Sequence, residues 1–226
     1  MRIASFLVLI VSLFFTKSTL GQDVLQPVQK GWERIYIKDV GYFDLPQTVE
    51  IPKGVYKEFV DGFREIKGYD TPQFVAQQKG LNEFNREGFE KYARVMLETE
   101  IGNPGDFISS DFDLSLFTKE DFAILEQATD SVCKEQVVNS IELREGGVKI
   151  IDWFPLKIER VNGFLCFHTS YTRQFLDRAV VLVNIYGFHN NDRMHTLTLS
   201  YRLSEADFWK TDFEKVLDSF RITNLK

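Results

Sequence analysis

His168, His189 and His195, with Cys133 and Cys166, are the side chains of this sequence best suited to acid–base, nucleophilic or metal chemistry. His189 and His195 flank Asn190-Asn191-Asp192, and a hairpin there would bring two imidazoles and a carboxylate to one surface, where a metal ion can be held. The spacing is loose, and the plainer expectation is two solvated turn histidines. Cys166 and His168 stand two apart in a strand-like run, so both project to one face, as a thiol and its base would. They project in parallel with no third group to orient them, and core packing is the expectation. Asp106, Ser109, Ser110, Asp111, Asp113 and Ser115 form an oxygen-rich stretch, but it lacks the glycine and closing glutamate of a calcium loop and reads as a solvated lead-in to a helix. Walker, dinucleotide, nucleophile-elbow and His-Glu-x-x-His patterns are all missing from the sequence, and Gly146-Gly147 reads as a turn. No catalytic, cofactor-binding or metal-binding residue is therefore assigned. Trp153, Phe154 and Pro155, with Tyr42, Phe43 and Phe112, lie close to turns. Those aromatics either edge a ligand groove or protein-binding patch or, as large apolar residues more often do, face the core.

The elements that would position these residues are clearest in the last third of the chain. Ala179 to Phe188 is an almost unbroken apolar and β-branched run, as in a strand buried on both faces, and reads as the sheet centre. His189-Asn190-Asn191-Asp192 turns the chain. Met194 to Leu203 then alternates, with His195, Leu197, Leu199, Tyr201 and Leu203 on a greasy face. Ser204-Glu205-Ala206-Asp207 has the spacing of a capping box, and Phe208, Trp209, Phe213, Val216, Leu217 and Phe220 follow at helical spacing as a stripe for the sheet.

Upstream, Ile35 to Ile37 and Tyr42 to Ile51 read as strands punctuated by Gly41, Pro46 and Pro52. Val55, Phe59 and Phe63 are four apart, which predicts a helix over 55–66 weakened by Gly62. Phe74 to Gln78 and Lys91 to Ile101 read as strands, the second with Ala93, Val95, Leu97, Thr99 and Ile101 inward. Thr118, with Asp121 three residues on, caps a helix to about Val138 whose face is Phe122, Leu125, Ala128, Thr129 and Val132. Val148 to Glu159 and Phe164 to Arg173 form a hairpin through Asn162-Gly163.

The first 21 residues carry Arg2, an uncharged run from Ile3 to Thr16, and small residues at Thr19 and Gly21, which is the pattern of a signal peptide cut before Gln22. The run falls short of the roughly 18 to 20 apolar residues a membrane span needs, and Gln22 stands where a lipoprotein would need Cys. An exported, soluble domain from Gln22 to Lys226 is the expectation. Loss of Arg2 and Lys17 leaves 25 basic against 33 acidic residues, a net charge of −8. An acidic chain without a basic cluster argues against nucleic acid and against an anionic membrane surface as partners. Export permits a Cys133–Cys166 disulfide, though two buried free thiols are the expectation.

The C-terminal arrangement of strand, hairpin, strand and a helix bearing Trp209, Phe213, Val216-Leu217-Asp218-Ser219-Phe220 and Arg221-Ile222 resembles the PsbP-like fold shared with the Ran-binding Mog family, and exported bacterial proteins of that shape. The resemblance implies an antiparallel sheet with helices on its faces, used by known members to bind other proteins; it does not carry a function with it. Together the readings give one α+β domain, with an antiparallel sheet of roughly six to eight strands and helices packed on it. The expected function is an exported binding or accessory protein for another protein or a small ligand. The alternative is a small exported hydrolase with an unrecognised active site, and a third reading keeps an uncleaved leader as a membrane tether.

Overall fold

The computed structural model of the protein describes residues 27–67, 72–109, 112–144 and 146–226; the leader at 1–21 and the proposed Gln22 terminus lie outside the described residues, as do Ser110 and Asp111. The apolar run from Ala179 becomes β8 (Val181–Asn190), mostly half-buried where burial on both faces was expected, and the alternating run becomes β9 (Arg193–Arg202); Asn191-Asp192 joins them, with Asn191 in the left-handed region. Asn tolerates that conformation better than most residues because its short polar side chain bonds locally. The hairpin sits in a seven-stranded antiparallel sheet. Its other strands are β3 (Val49–Glu50), β4 (Phe74–Gln78), β5 (Ala93–Ile101), β6 (Val148–Val161) and β7 (Phe164–Phe175), in the order β3-β4-β5-β9-β8-β7-β6. The centre is therefore β9, with β8 beside it. A second, three-stranded sheet joins β1 (Trp32–Ile37), β2 (Gly41–Pro46) and the short β10 (Arg221–Ile222). The run from Tyr42 to Ile51 is split between the two sheets, because Pro46 ends β2 and the chain crosses to pair Val49 with Gln78.

On the first face of the large sheet, Ala93, Val95, Leu97, Leu197, Leu199, Tyr201, Phe188 and Cys166 meet Val40, Phe43 and Leu45 of the small sheet and helix α4 (Ala206–Ser219). Trp209, Phe213, Val216 and Phe220 are buried there, as the stripe predicts. Phe208 is not: it lies outside, under the Lys91 ammonium. Ile101, at the outer end of β5, is exposed as well. The expected Ser204 cap is replaced. A single 3-10 turn, Leu203–Glu205, precedes α4, and Glu205 is its N-cap. The Glu205 carboxylate accepts from Trp209 Nε1 at 2.9 Å and from the Tyr92 amide at 3.1 Å, and pairs with Arg202 at 3.1 Å. At the other end of α4, Asn162 of the β6–β7 turn donates through Nδ2 to the Leu217 and Phe220 carbonyls at 2.7 and 2.9 Å, satisfying groups that a helix end leaves open. β10 presses so closely on Gly41 that a Cβ there would stand 1.9 Å from the Arg221 carbonyl oxygen.

The second face carries helices α3 (Lys119–Arg144) and α1 (Gly54–Lys67). Thr118 and Asp121 cap α3 reciprocally, with Asp121 N–H on Thr118 Oγ1 at 3.1 Å and Thr118 N–H on Asp121 Oδ2 at 3.0 Å. Phe122, Leu125 and Thr129 turn inward, but Ala128 and Val132 turn out, and Cys133, Val137 and Ile141 continue the buried side beyond Val138. The seam is partly polar because β6 is bulged. Around Pro155 its register slips between Phe154 and Lys157, which frees backbone N–H groups. Asp130 accepts from Leu156 N–H at 2.7 Å and Trp153 Nε1 at 2.9 Å, and Glu126 from Ile158 N–H at 2.9 Å. A five-residue helix, α2 (Arg86–Glu90), capped by Asn85, completes the fold.

Replacing Phe220 by Ala is expected to cost about 3 to 5 kcal/mol, the range for an aromatic removed from a packed core, whereas Phe208→Ala should cost under about 1 kcal/mol. Denaturant midpoints of the two variants check this; equal losses would mean that the helix stripe is seated differently.

Candidate functional site

The hairpin register separates the two histidines that would share a metal. His189 pairs with Met194 and Phe188 with His195, so the imidazoles lie on opposite faces of the sheet. Neither is a solvated turn histidine: His195 is buried and His189 is half-buried. His195 is fully enclosed on the first face, where Thr99 Oγ1 donates to Gln73 at 2.7 Å and so accepts from His195 Nδ1–H at 2.9 Å. His195 Nε2 has no hydrogen-bond partner among the described residues. His189 is stacked on Phe167 at 4.3 Å, edged by Phe107, and its Nδ1 accepts from Ile108 N–H at 3.2 Å. Burial holds both pKa values down, to about 4, and Arg193 adds to this at His195. The cysteines are divided in the same way. Cys166 faces the first-face core, Cys133 packs over the second face beside Leu165 and Phe167, and both thiols are free with their pKa raised by burial.

Cys166 and His168 do share a face, but His168 reaches other partners. Its Nδ1 meets Glu159 Oε1 at 3.2 Å, its Nε2 meets Ser170 Oγ at 3.2 Å, and its ring stacks on Tyr186 at 4.3 Å. Glu159, His168 and Ser170 thus follow one another in the order of a hydrolase relay. The serine's hydrogen is directed elsewhere. Ser170 Oγ donates to Asn184 Oδ1 at 2.8 Å, so it is not aimed at His168 Nε2 as a nucleophile's hydrogen would be. Burial holds the His168 pKa below the usual value against the pull of Glu159. The cluster joins β6, β7 and β8 as a polar seam. Register placed Glu159 there, across bulged β6, which no spacing along the chain reveals.

In the oxygen-rich stretch, Asp106 accepts from Asn103 N–H at 2.7 Å and Asp113 from Ser115 N–H at 2.9 Å, which are loop contacts. Of the turn-edge aromatics, Phe43 is core, Tyr42 lies under the Arg34 guanidinium, and Trp153 is stacked on Tyr171. Phe154 remains exposed.

The surface that stands out is one the sequence marked only as a doubtful helix. Along α1 the side chains Val55, Phe59, Phe63 and Ile66 are 69, 64, 49 and 83% exposed, while Tyr56 on the adjoining side is buried. Spacings of three and four residues place these four on one stripe. Tyr56 continues it, ring edge to Phe84 at 5.8 Å, and Phe84 stacks on Phe89 at 6.4 Å; both phenylalanines are half exposed. A folded chain keeps an apolar stripe of this kind inward unless something else covers it. Exposed charges of both signs surround it: Glu58 and Glu65 on α1 and Glu83 and Glu87 near Phe84, with Lys57 paired to Asp61 and Arg86 paired to Glu90.

No protein-family model and no curated protein matches the chain. Among solved structures, 17 chains match. One is the solution structure of cyanobacterial PsbP (CyanoP) from Synechocystis sp., at 16% identity and a TM-score of 0.44, over 91% of this chain and 98% of that one. The likeness is to a PsbP protein and lends no support to the Ran-binding Mog branch of the resemblance. It concerns the fold and assigns no function. Among the described residues no helix is long and apolar enough to cross a membrane.

Buried His195 and half-buried His189 set an acid dependence. Their folded pKa of about 4 lies below the unfolded value of about 6.5, so the unfolded chain takes up protons first as the pH falls. The stability contribution is present above the unfolded value and is lost toward pH 4, by about 3 kcal/mol for buried His195 and by less for half-buried His189 once both states are protonated. Denaturation between pH 7 and about 4.5, above the carboxylate range, should show falling stability, and His195→Asn should flatten the slope. A flat profile in the parent chain would mean that these imidazoles are solvated.

Proposed function

We propose that the protein is an exported, non-catalytic binding or accessory protein, and that it holds a partner protein on the α1 ridge. The observation that carries this is the outward stripe Val55, Phe59, Phe63 and Ile66 with Phe84 and Phe89 beside it. Aromatic side chains are the usual anchors of protein interfaces. With Lys57 and Arg86 already paired to Asp61 and Glu90, the carboxylates left over, Glu58, Glu65, Glu83 and Glu87, favour a partner whose apolar surface, such as the stripe of an amphipathic helix, is edged by Lys or Arg. They also disfavour a second copy of this chain, because two antiparallel ridges would set Glu58 and Glu65 against their own images. Export rests on the leader pattern at 1–21. The hydrolase alternative ranks below, since the Glu159-His168-Ser170 series found among the described residues directs its serine hydrogen to Asn184.

A photo-crosslinking residue placed at Phe59 or Phe63 in the exporting cell is expected to capture one protein species, and the same residue at Phe208, exposed on the opposite side of the sheet, is expected to capture none of it. Phe59→Ser with Phe63→Ser should lower copurification of that species at least tenfold while moving stability by no more than about 1 kcal/mol. Equal capture at positions 59 and 208, or products that are only copies of the chain itself, would contradict the reading.

A further inference from the structure

The far end of β5 leaves part of its backbone open. In an antiparallel sheet the peptide groups of a strand point alternately to its two neighbours. Tyr92 O accepts from Arg202 N–H at 3.2 Å and Gly102 N–H donates to Asp192 O at 2.7 Å, so the even-numbered residues of β5 bond β9 and the odd-numbered ones face β4. On that side Val95 pairs with Ala76 and Leu97 with Phe74, while Ala93 N–H donates to Gln78 Oε1 at 3.1 Å. There β4 stops, but β5 runs on to Ile101. Continuing the register would set Pro72 opposite Thr99, and a proline has no N–H to give. Thr99 and Ile101 therefore turn N–H and C=O groups outward, about 7 Å apart along the strand. These groups have no backbone partner among the described residues.

This open edge is one wall of a cavity of about 410 Å³, lined also by Asp39, Val40, Pro72, Gln73, Glu98 and Arg193. Gln73 holds the cavity in shape, its Oε1 accepting from Thr99 Oγ1 at 2.7 Å and its Nε2 donating to Lys38 O at 3.0 Å. Arg193 is held by Asp192 at 2.7 and 3.0 Å. With those side chains engaged, what the cavity has left to offer is chiefly its strand edge. The edge of β6 is treated differently, because Asp130 and Glu126 take up its Leu156 and Ile158 N–H groups. An edge left open is a template on which a further strand can form. We propose that the edge at Thr99 and Ile101 receives an extended segment of another protein, which adds a short strand in the place that β4 leaves. Its side chains would alternate between the two faces of the sheet. On the first face they meet Ile101, which is 72% exposed, and Pro72; on the second they meet exposed Glu100. The segment that fits therefore alternates apolar with basic residues. The edge stands on residues separate from the α1 ridge, so either can fail alone.

The test is titration of the full mature chain with a short end-blocked peptide of alternating Val and Lys, followed by amide chemical shifts and hydrogen exchange. Saturable binding of one equivalent is expected, with the Thr99 and Ile101 amides exchanging at least about tenfold more slowly and lying in through-space contact with the peptide. Ile101→Pro removes an outward donor that makes no bond to β9, so the variant should keep the native amide spectrum and bind the peptide about tenfold more weakly. Ile101→Thr keeps the donor and should weaken binding much less. Methylation of alternate amide nitrogens along the peptide's pairing edge should abolish binding to the parent chain, and Asp in place of Lys should weaken it. Linear, non-saturating shifts, or shifts centred on Phe59 and Phe63, would overturn the proposal. So would binding that Ile101→Pro or peptide methylation leaves unchanged, or protection of Thr99 and Ile101 that rises with the concentration of the chain alone, the mark of a second copy.

Discussion

Phe220 is the point at which the two sheets and the last helix meet, and the arrangement depends on it. Its ring lies 4.8 Å from Phe188 of the large sheet and 6.2 Å from Phe43 of the small one, and Phe43 in turn meets Phe74 edge-on at 5.1 Å. Phe43 comes from the first strands described and Phe220 from the end of the last helix, so the first-face core closes only when distant parts of the chain are both in place. The polar contacts reinforce this closure. Asn162 holds the end of α4, Ser219 Oγ accepts from Asp44 N–H at 2.9 Å, and Asp44 receives the Arg34 guanidinium at 2.7 and 2.9 Å. A bidentate pair so shielded would cost several kcal/mol if one partner were removed, because it would leave a buried charge behind.

With one face closed in this way, the other is free to be specialised. α3 covers only the β6–β7–β8 end and spends Glu126 and Asp130 on the bulge around Pro155. α1 covers the opposite end with Tyr56 and Arg64 and keeps its larger apolar side outward. The second face thus holds a feature that a core would not tolerate, an exposed aromatic ridge. It contributes nothing to closure of the first face, which is why it can be read as a surface for something else.

Elements whose periodicity decides burial could be read directly from the residues. β9 and α4 are such elements, as is the 162–163 turn, where Asn162 and Gly163 both take positive φ; β8 was legible as a strand, but its unbroken apolar run overstated its burial and placed it at the centre that β9 occupies. Misreadings occur where local pattern and tertiary use part. Ser204 has the spacing of a cap, but the 3-10 turn hands that place to Glu205, whose carboxylate serves Trp209, Tyr92 and Arg202 together. Gly62 argued against a helix that nonetheless forms over Gly54–Lys67. β10 and α2 are too short for any period to show. The candidate sites were less legible than the fold. That Cys166, His168 and Ser170 share a face follows from their spacing, but Glu159 and Asn184 arrive by register. Pairing between strands distant in sequence leaves no mark in the residues of either one.

The central claim is that the first face is the closed core and that α1 stands outside it as a surface. Native-state amide hydrogen exchange of the mature chain tests this most directly, because protection follows local stability and not sequence pattern. The account predicts that amides of β9 and α4 exchange only through global unfolding, while those of α1 exchange through local opening, at least about tenfold faster and with little dependence on global stability. Protection of α1 equal to that of α4 would place Phe59 and Phe63 in a core and contradict the account.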